Sequence, residues 1–402
     1  MLKNIVVVYD FGRSVGGVNP VAIRPAEVLS ASYNVYYCCA EDNFESVNSD
    51  LITKIPLSKA ASVDAGEINR AFSSIWSLSA KNNLAVLLNK LDPAETVVHF
   101  HGWGMALSAS VLNVTNRLGF RMIYTAHDYS IVCPNGVYYD FVKQQDCQSR
   151  PMSLECITKK CDKSNYAIKV HRVSRKTLER LTVNVFEVFE RIICVSETVK
   201  QVLIDCGAPP EKLMVIANPS CNETSSVDVV NNHVYAYVGR ITPEKGVEDF
   251  CEAITLAKVD GLIVGGGEGV EDLKKRYPNI TFTGWVDKKE IHGYLSKARC
   301  VVVPSRWREA SGLVVEEAMS LGIPVIVSSE TGAAEKIKKY GGGIIFRKGD
   351  INALVKSIHQ INGETKVASL KEDCLRVRGE FLSHFNYAEL LEAIYQGQKV
   401  AV

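Results

Sequence analysis

Residues 300–328 read CVVVPSRWREASGLVVEEAMSLGIPVIVS. Cys300–Val303 is apolar and β-branched, the pattern of a strand buried on both faces of a parallel sheet, and Pro304 ends it. After a short turn containing Ser311 and Gly312, Leu313–Leu321 reads as a helix closed by Gly322, and Pro324 opens a second buried strand, PVIVSS. Strand, helix and strand in this order are the unit of a parallel α/β sheet. Glu309 falls in the loop that feeds the helix, and Glu317 lies about a turn and a half inside it. The amides of Ser311, Gly312 and Leu313 stand at the helix start without an internal partner, a place that attracts a phosphate. One carboxylate before the anion site and one beyond it suit a ligand with hydroxyls on both sides of a diphosphate, as in a nucleotide sugar.

The same alternation runs through the chain in both directions from this stretch. Before it, strands are read at HVYAYVG, GLIVGG and NITFTGW, and after it at GGIIF. Helices are expected near 246–257, 269–276, 287–298, 312–321, 333–339 and 350–361. In the first half, strands are read at NIVVVYD, YNVYYCCA, TVVHFHG, RMIYTAHD and RIICVSE, with helices near 68–90, 105–118 and 169–188. Pro25 should disturb the helix after the first strand, so that helix is expected to start late or kink. The polar stretch 220–232 reads as a linker. The expected organisation is an α/β chain of two Rossmann-like domains facing across a cleft. Residues 1–219 form an acceptor-binding domain and 233–383 a donor-binding domain. Residues 384–402 form an amphipathic helix packing back on the first domain.

At 402 residues, 47% hydrophobic and 23% charged, with net charge +1, the composition is that of a soluble two-domain protein with no overall nucleic-acid signature. No apolar run approaches the roughly 20 residues of a membrane span. The N-terminal MLKNIVVVYDFG reads as a first strand and not as a signal peptide, so the 12 cysteines are expected as thiols in a reducing cytoplasm. VGGGEGVEDL lacks the third glycine of a dinucleotide fingerprint, because Val270 stands there, which weakens a hydride-transfer reading.

The second domain opens with VYAYVGRITPEKGVEDF. Arg240 and Lys245 stand at its strand-to-helix turn, where a guanidinium and an ammonium suit a diphosphate. With these residues in view, the chain resembles the retaining glycosyltransferases of family 4, with the GT-B fold. The likeness rests on GRITPEKG, VGGGEG, NITFTGWVDKKEIHGYLSKARCVVVPS, the Glu309–Glu317 pair followed by Ala318, Gly16–Gly17 after the first strand, and His127–Asp128. It implies that Arg240 and Lys245 neutralise the donor diphosphate and that Glu317 binds the ribose. Glu309 would face the transferred sugar, the amides of Ser311, Gly312 and Leu313 would hold the phosphates, and Trp285 and Val286 would line the base pocket. Gly16 and Gly17 would let backbone approach the donor. His127 would contact the donor sugar, while His101, Gly102 and Asp128 would line the acceptor side. Glu309, His127, Arg240 and Lys245 are the expected catalytic set.

The family resemblance further implies a front-face substitution without metal or other cofactor. The donor would be a UDP- or GDP-sugar and the acceptor a glycan, lipid-linked and built at the inner face of the cytoplasmic membrane for surface polysaccharide. A nucleotide-sugar epimerase or hydrolase of the same fold, or a non-catalytic nucleotide-sugar-binding protein, are the competing readings. Glu316 reads as a solvated helix residue and His99 as a packing residue. Ser196, Glu197 and Asn218 end strands as weaker candidates.

Two features stay open in the sequence. Cys133, Cys147, Cys156 and Cys161 share one irregular insert, where they suit either a structural zinc or free thiols packed in a loop. Lys169, Arg172, Arg175, Lys176 and Arg180 form a basic helix that either meets an anionic lipid surface or is a solvated face.

Overall fold

The computed structural model describes residues 1–13, 18–58, 74–220, 225–398 and 400. Gly16 and Gly17 lie outside the described residues. The chain divides into two units, Met1–Val137 with Gln148–Pro219 and His384–Val402, and Tyr138–Cys147 with Ser220–Ser383.

The first unit is built on β1 (Asn4–Val8), β2 (Asn34–Cys39), β3 (Ile52–Pro56), β4 (Thr96–Phe100) and β5 (Arg121–Ala126). A short antiparallel hairpin follows, β6 (Tyr139–Asp140) with β7 (Gln145–Asp146), and then β8 (Arg191–Cys194) and β9 (Leu213–Val215) complete the first sheet. That sheet has the order β3-β2-β1-β4-β5-β8-β9, parallel throughout. β1 and β4 are buried along their whole length, through apolar residues such as Ile5–Val8, Val97, Val98 and Phe100, with the polar Asn4, Thr96 and His99 buried beside them. Phe100, Trp103, Tyr124 and Phe189 close one side of the core through edge-on and stacked ring contacts.

The helix Val18–Leu29 carries Pro25 in its interior and does not start after it. The final helix, His384–Tyr395, packs against it and buries Tyr387, Ala388, Leu391, Ile394 and Tyr395. Each large apolar side chain buried this way contributes about 2 kcal/mol. The helix is also pinned at its C-terminal turn, by Tyr33 Oη donating to Glu392 and by Tyr395 Oη against His99 Nδ1.

The second unit holds β10 (Val234–Val238), β11 (Asp260–Val264), β12 (Ile280–Phe282), β13 (Ala298–Val303), β14 (Val325–Ser328) and β15 (Gly343–Phe346). Their order is β12-β11-β10-β13-β14-β15, again all parallel. Counted along its own unit this is 3-2-1-4-5-6, the doubly wound Rossmann arrangement. β13 is buried at all of its residues, and the helices on either face seal the core with Phe250, Ile254, Val315, Met319, Leu354 and Ile358.

The expected boundary fails in one place. The hairpin Tyr138–Cys147 lies in the first half of the chain but groups with the second unit. Its Asp146 pairs with Lys348 and Arg308, and its Gln144 accepts from Arg306. Val227 and Val229, inside the stretch read as a linker, belong to the second core.

Candidate active site at the switch point of the second sheet

The crossover from β10 leads to β11 on one side and the crossover from β13 leads to β14 on the other, so the loops leaving the carboxyl ends of these two adjacent strands diverge and open a crevice. One loop, 239–246, carries Arg240 and Lys245. The other, 304–312, carries Glu309 and Ser311. They are held together by backbone: Arg306 N–H donates to the Glu244 carbonyl at 2.9 Å. Gly246 has φ +68°, and a Cβ there would run into the Pro304 carbonyl, so only glycine permits the approach.

At the junction the Lys245 ammonium hydrogen-bonds Glu309 Oε1, and the Ser305 hydroxyl donates to Oε2. The same ammonium stands 5.5 Å from the centre of the Trp307 ring. Burial opposes ionisation of Glu309, but the charge and hydrogen bond of Lys245, the Ser305 hydroxyl and the charge of Lys336 outweigh it, holding the carboxyl below the usual glutamate range. Glu309 is thus an anion with both oxygens directed by the protein. Arg240 is exposed, its carbonyl taken by the Tyr237 hydroxyl at 2.6 Å.

Gly312, at φ +69°, turns the chain into the helix Leu313–Ser320, and no side chain caps that helix start. Glu317 is half-buried on the helix, with Lys288 Nζ 3.8 Å away. Lys288 opens the helix that follows Trp285 and Val286, so the ribose candidate and the base-pocket candidates meet in one region. Trp285 itself is exposed, and its ring lies on Gly266, where a Cβ would come within 2.5 Å of the indole.

In the first unit the corresponding switch point lies between β1 and β4. Asp10, just past β1, is buried and accepts four backbone N–H groups, from Gly104, Met105, Ala106 and Leu107, at 2.7–3.1 Å. That carboxylate shapes the loop after β4 in which His101 and Gly102 stand. His101 Nδ1 lies 2.9 Å from His127 Nε2, and the two rings stack. His127 Nδ1 is buried with no hydrogen-bond partner among the described residues. Burial pushes His127 down to about 3, and His99 likewise, with His127's charge adding to the effect on His99. His101 is pushed well down, first by burial and then by its two histidine neighbours. These imidazoles are neutral at ordinary pH. Burial raises the Asp128 carboxyl despite the Ser130 hydroxyl and N–H that bond it. His99 packs inward, with Thr125 Oγ1 at 2.8 Å from Nε2.

Two expectations need correction. Glu316 is not solvated: it is 4% exposed and paired with the equally buried Lys336 at 2.8 Å. The basic helix, Tyr166–Thr182, does not present a cationic stripe. Lys169 and Lys176 are buried, Lys176 against Glu179 and the Ser130 carbonyl, while Arg172 pairs with Asp162 and Arg175 donates to the Gly104 carbonyl. In sequence the cysteine insert is open between a structural zinc and free thiols. Among the described residues no three metal-binding side chains are placed to hold an ion. Lys169 Nζ donates to Cys161 Sγ at 3.1 Å.

Sequence reasoning missed Ser305, Trp307, Lys336 and Asp10. Ser305 and Trp307 flank Glu309 closely enough to have been suspected. Lys336 and Asp10 act across long sequence separations and leave no local signal.

The Glycosyltransferase Family 4 profile matches residues 15–219, half of the chain, and the Glycosyl transferases group 1 profile matches residues 225–370. An uncharacterised 41.2 kDa protein of the cps region of Klebsiella pneumoniae is 25% identical, the match covering 71% of this chain and 74% of that protein. A UDP-Gal:alpha-D-GlcNAc-diphosphoundecaprenol alpha-1,3-galactosyltransferase of Escherichia coli is 26% identical over 51% of this chain and 58% of its own length. Among solved structures, a sucrose-phosphate synthase of Thermosynechococcus elongatus superposes with TM-score 0.73 at 19% identity, covering 98% of both chains. With two Rossmann sheets, a cation–carboxylate pair at the second switch point and profile matches to both halves, the chain belongs to glycosyltransferase family 4 and has the GT-B fold.

Proposed function

We propose that this glycosyltransferase moves a sugar from a UDP- or GDP-linked donor to a glycan acceptor, lipid-linked, in surface polysaccharide assembly, with retention at the anomeric carbon. The observation that carries the reading is the meeting of Lys245, Glu309 and the uncapped helix start at Gly312 beside the carboxyl ends of β10 and β13. The Escherichia coli relative's diphosphoundecaprenol acceptor and the cps-region relative support the acceptor class.

In this reading the amides of Ser311, Gly312 and Leu313 hold the diphosphate, and Arg240 and Lys245 take up the charge that grows as it departs. Glu317 binds the ribose, with Trp285 and Val286 at the base. The C1–oxygen bond to phosphate breaks, and the acceptor hydroxyl attacks C1 from the same face. Its proton passes to the departing phosphate oxygen. Glu309 orients the sugar hydroxyls and stabilises positive character at C1. The neutral His127 offers its unpaired Nδ1 to a sugar hydroxyl. The reaction as written calls on no metal.

The protein works at the cytoplasmic face of the membrane in this proposal. No helix among the described residues is long and apolar enough to cross a membrane. The surface that would meet lipid is the exposed Leu154, Tyr166, Ile168 and Val170 with Lys160 and Lys163, in place of the buried lysines of the basic helix.

The test is incubation of purified protein with a panel of UDP- and GDP-sugars and an undecaprenyl-diphosphate-linked glycan. NMR of the product's anomeric proton then reads the stereochemistry. Transfer with the donor's configuration kept supports the reading. Release of free sugar or an epimerised donor with no acceptor product would replace it with the hydrolase or epimerase reading, and binding without turnover with a non-catalytic one.

A further inference from the structure

Behind the helix start at Gly312 lies a second pair of opposite charges. Lys336, on the helix Gly332–Tyr340, and Glu316, on the helix Leu313–Ser320, are each less than a tenth exposed and stand 2.8 Å apart. Lys336 Nζ also reaches Ser311 Oγ at 3.4 Å. The helix bearing Lys336 is tied to the same loop through its first residue, because Gly332 N–H donates to the Glu309 carbonyl at 2.8 Å. Glu316 Oε2 is buried with no hydrogen-bond partner among the described residues. A pair retained for stability alone would satisfy its remaining oxygen, since a half-satisfied buried ion pair gains little over apolar residues of the same size.

The direction of the Lys336–Ser311 contact is informative. An ammonium only donates, so Ser311 Oγ accepts from Lys336 and the Ser311 hydroxyl hydrogen is left to point elsewhere. The hydroxyl belongs to the residue just before Gly312, at the helix start. Accepting from a cation polarises the O–H and makes it a better donor to an anion.

We propose that Lys336, held by Glu316, is a positioning residue for diphosphate recognition: it fixes and polarises the Ser311 hydroxyl, which donates to a phosphate oxygen of the nucleotide. The proposal rests on the reading of the Gly312 helix start as the diphosphate site, and it adds a buried cation to the exposed Arg240 and the Glu309-bound Lys245. Loading the site with a diphosphate then places negative charge near two lysines whose own counter-ions, Glu309 and Glu316, stay in place.

Isothermal titration with UDP, UMP, GDP and GMP tests it. For the base that binds, Lys336→Met is expected to raise the diphosphate Kd about tenfold while leaving the monophosphate Kd within about twofold, the loss of one charge-assisted hydrogen bond. Ser311→Ala is expected to do the same, and the double variant Lys336→Met/Ser311→Ala no more than either alone. A purely structural role would lower Tm and leave the diphosphate preference intact, which would overturn the proposal, as would additive losses in the double variant. Should Lys336→Met fail to fold, Glu316→Leu/Lys336→Met replaces the whole pair with apolar side chains and carries the same expectation. Wild-type protein that binds neither UDP nor GDP would overturn the nucleotide reading and this proposal together. Wild-type binding with an unchanged preference in the variants would overturn this proposal alone.

Discussion

The Lys245 ammonium is bound to the Glu309 carboxylate, so the two groups proposed to serve opposite ends of the transferred bond neutralise each other. In the proposed reading a diphosphate competes with Glu309 for Lys245. Removing the lysine leaves Glu309 a buried carboxylate with Ser305 as its remaining side-chain donor among the described residues; removing the glutamate frees the lysine for the proposed phosphate.

The two deletions should therefore differ in kind. Lys245→Ala is expected to weaken nucleoside-diphosphate binding and lower kcat/KM by about 100-fold or more. Glu309→Ala is expected to leave nucleotide affinity unchanged or tighter while kcat falls by at least about 100-fold. Titration calorimetry and steady-state kinetics on both variants decide it, and equal loss of affinity in both would end the division of roles.

In the proposed reading Glu317 acts on the other side of the phosphates. Its contact with Lys288 is long, at 3.8 Å, and the Glu317 side chain is partly exposed, so solvent screens the pair and losing the carboxylate costs little stability. Glu317→Ala should raise the Kd for the nucleotide about tenfold, with Tm within a degree or two of wild type and kcat at saturating donor nearly unchanged. A collapsed kcat with normal affinity would move Glu317 from ribose binding into the chemistry.

Acid should unfold the first unit through its histidines. In the unfolded chain an imidazole titrates near its ordinary value of 6.5, whereas in the fold His99 and His127 titrate at about 3. Between those values the unfolded chain binds protons that the folded chain refuses. Stability therefore rises with pH across this window and is complete only above it. Tm is expected to fall steadily from pH 6.5 to pH 4, and His99→Gln should flatten the slope. An unchanged slope in that variant would show His99 to be protonated inside the fold. The same neutrality predicts no inflection in kcat near pH 6.5 from His127.

What the chain discloses of itself follows the range of the forces involved. β13 and the helix after it are legible because an unbroken apolar run, a proline and a glycine act within a few residues of one another. β3, Ile52–Pro56, escapes because it is an edge strand with Thr53 and Lys54 exposed, and so lacks the apolar pattern of its neighbours. The site splits the same way. Lys245 and Glu309 each sit in a local motif. Glu316 looks solvated because the ammonium that holds it inside, Lys336, comes from the next helix. The hairpin around Asp146 joins the second unit because of Lys348 and Arg308, distant charges that no local pattern announces. Gly16 and Gly17, read as donor contacts, stay an expectation.

The basic helix offers a last separation of structure from surface. Lys176 is buried and donates to Glu179 and to the carbonyls of Ser130 and Ile131, while Glu179 also accepts from Trp103 Nε1 at 2.8 Å. Removing one partner of such a pair leaves the other charged and buried, so Lys176→Ala should destabilise by about 3 kcal/mol in urea unfolding. The side chain is out of reach of lipid, so binding to anionic vesicles should be unchanged in the folded variant. Ile168→Glu/Val170→Glu should behave in the opposite way, with stability close to wild type and vesicle co-sedimentation lost, because both side chains are exposed. If Lys176→Ala instead released the protein from vesicles without loss of stability, the cationic stripe would have to face the membrane, and the buried network around Glu179 would be wrong.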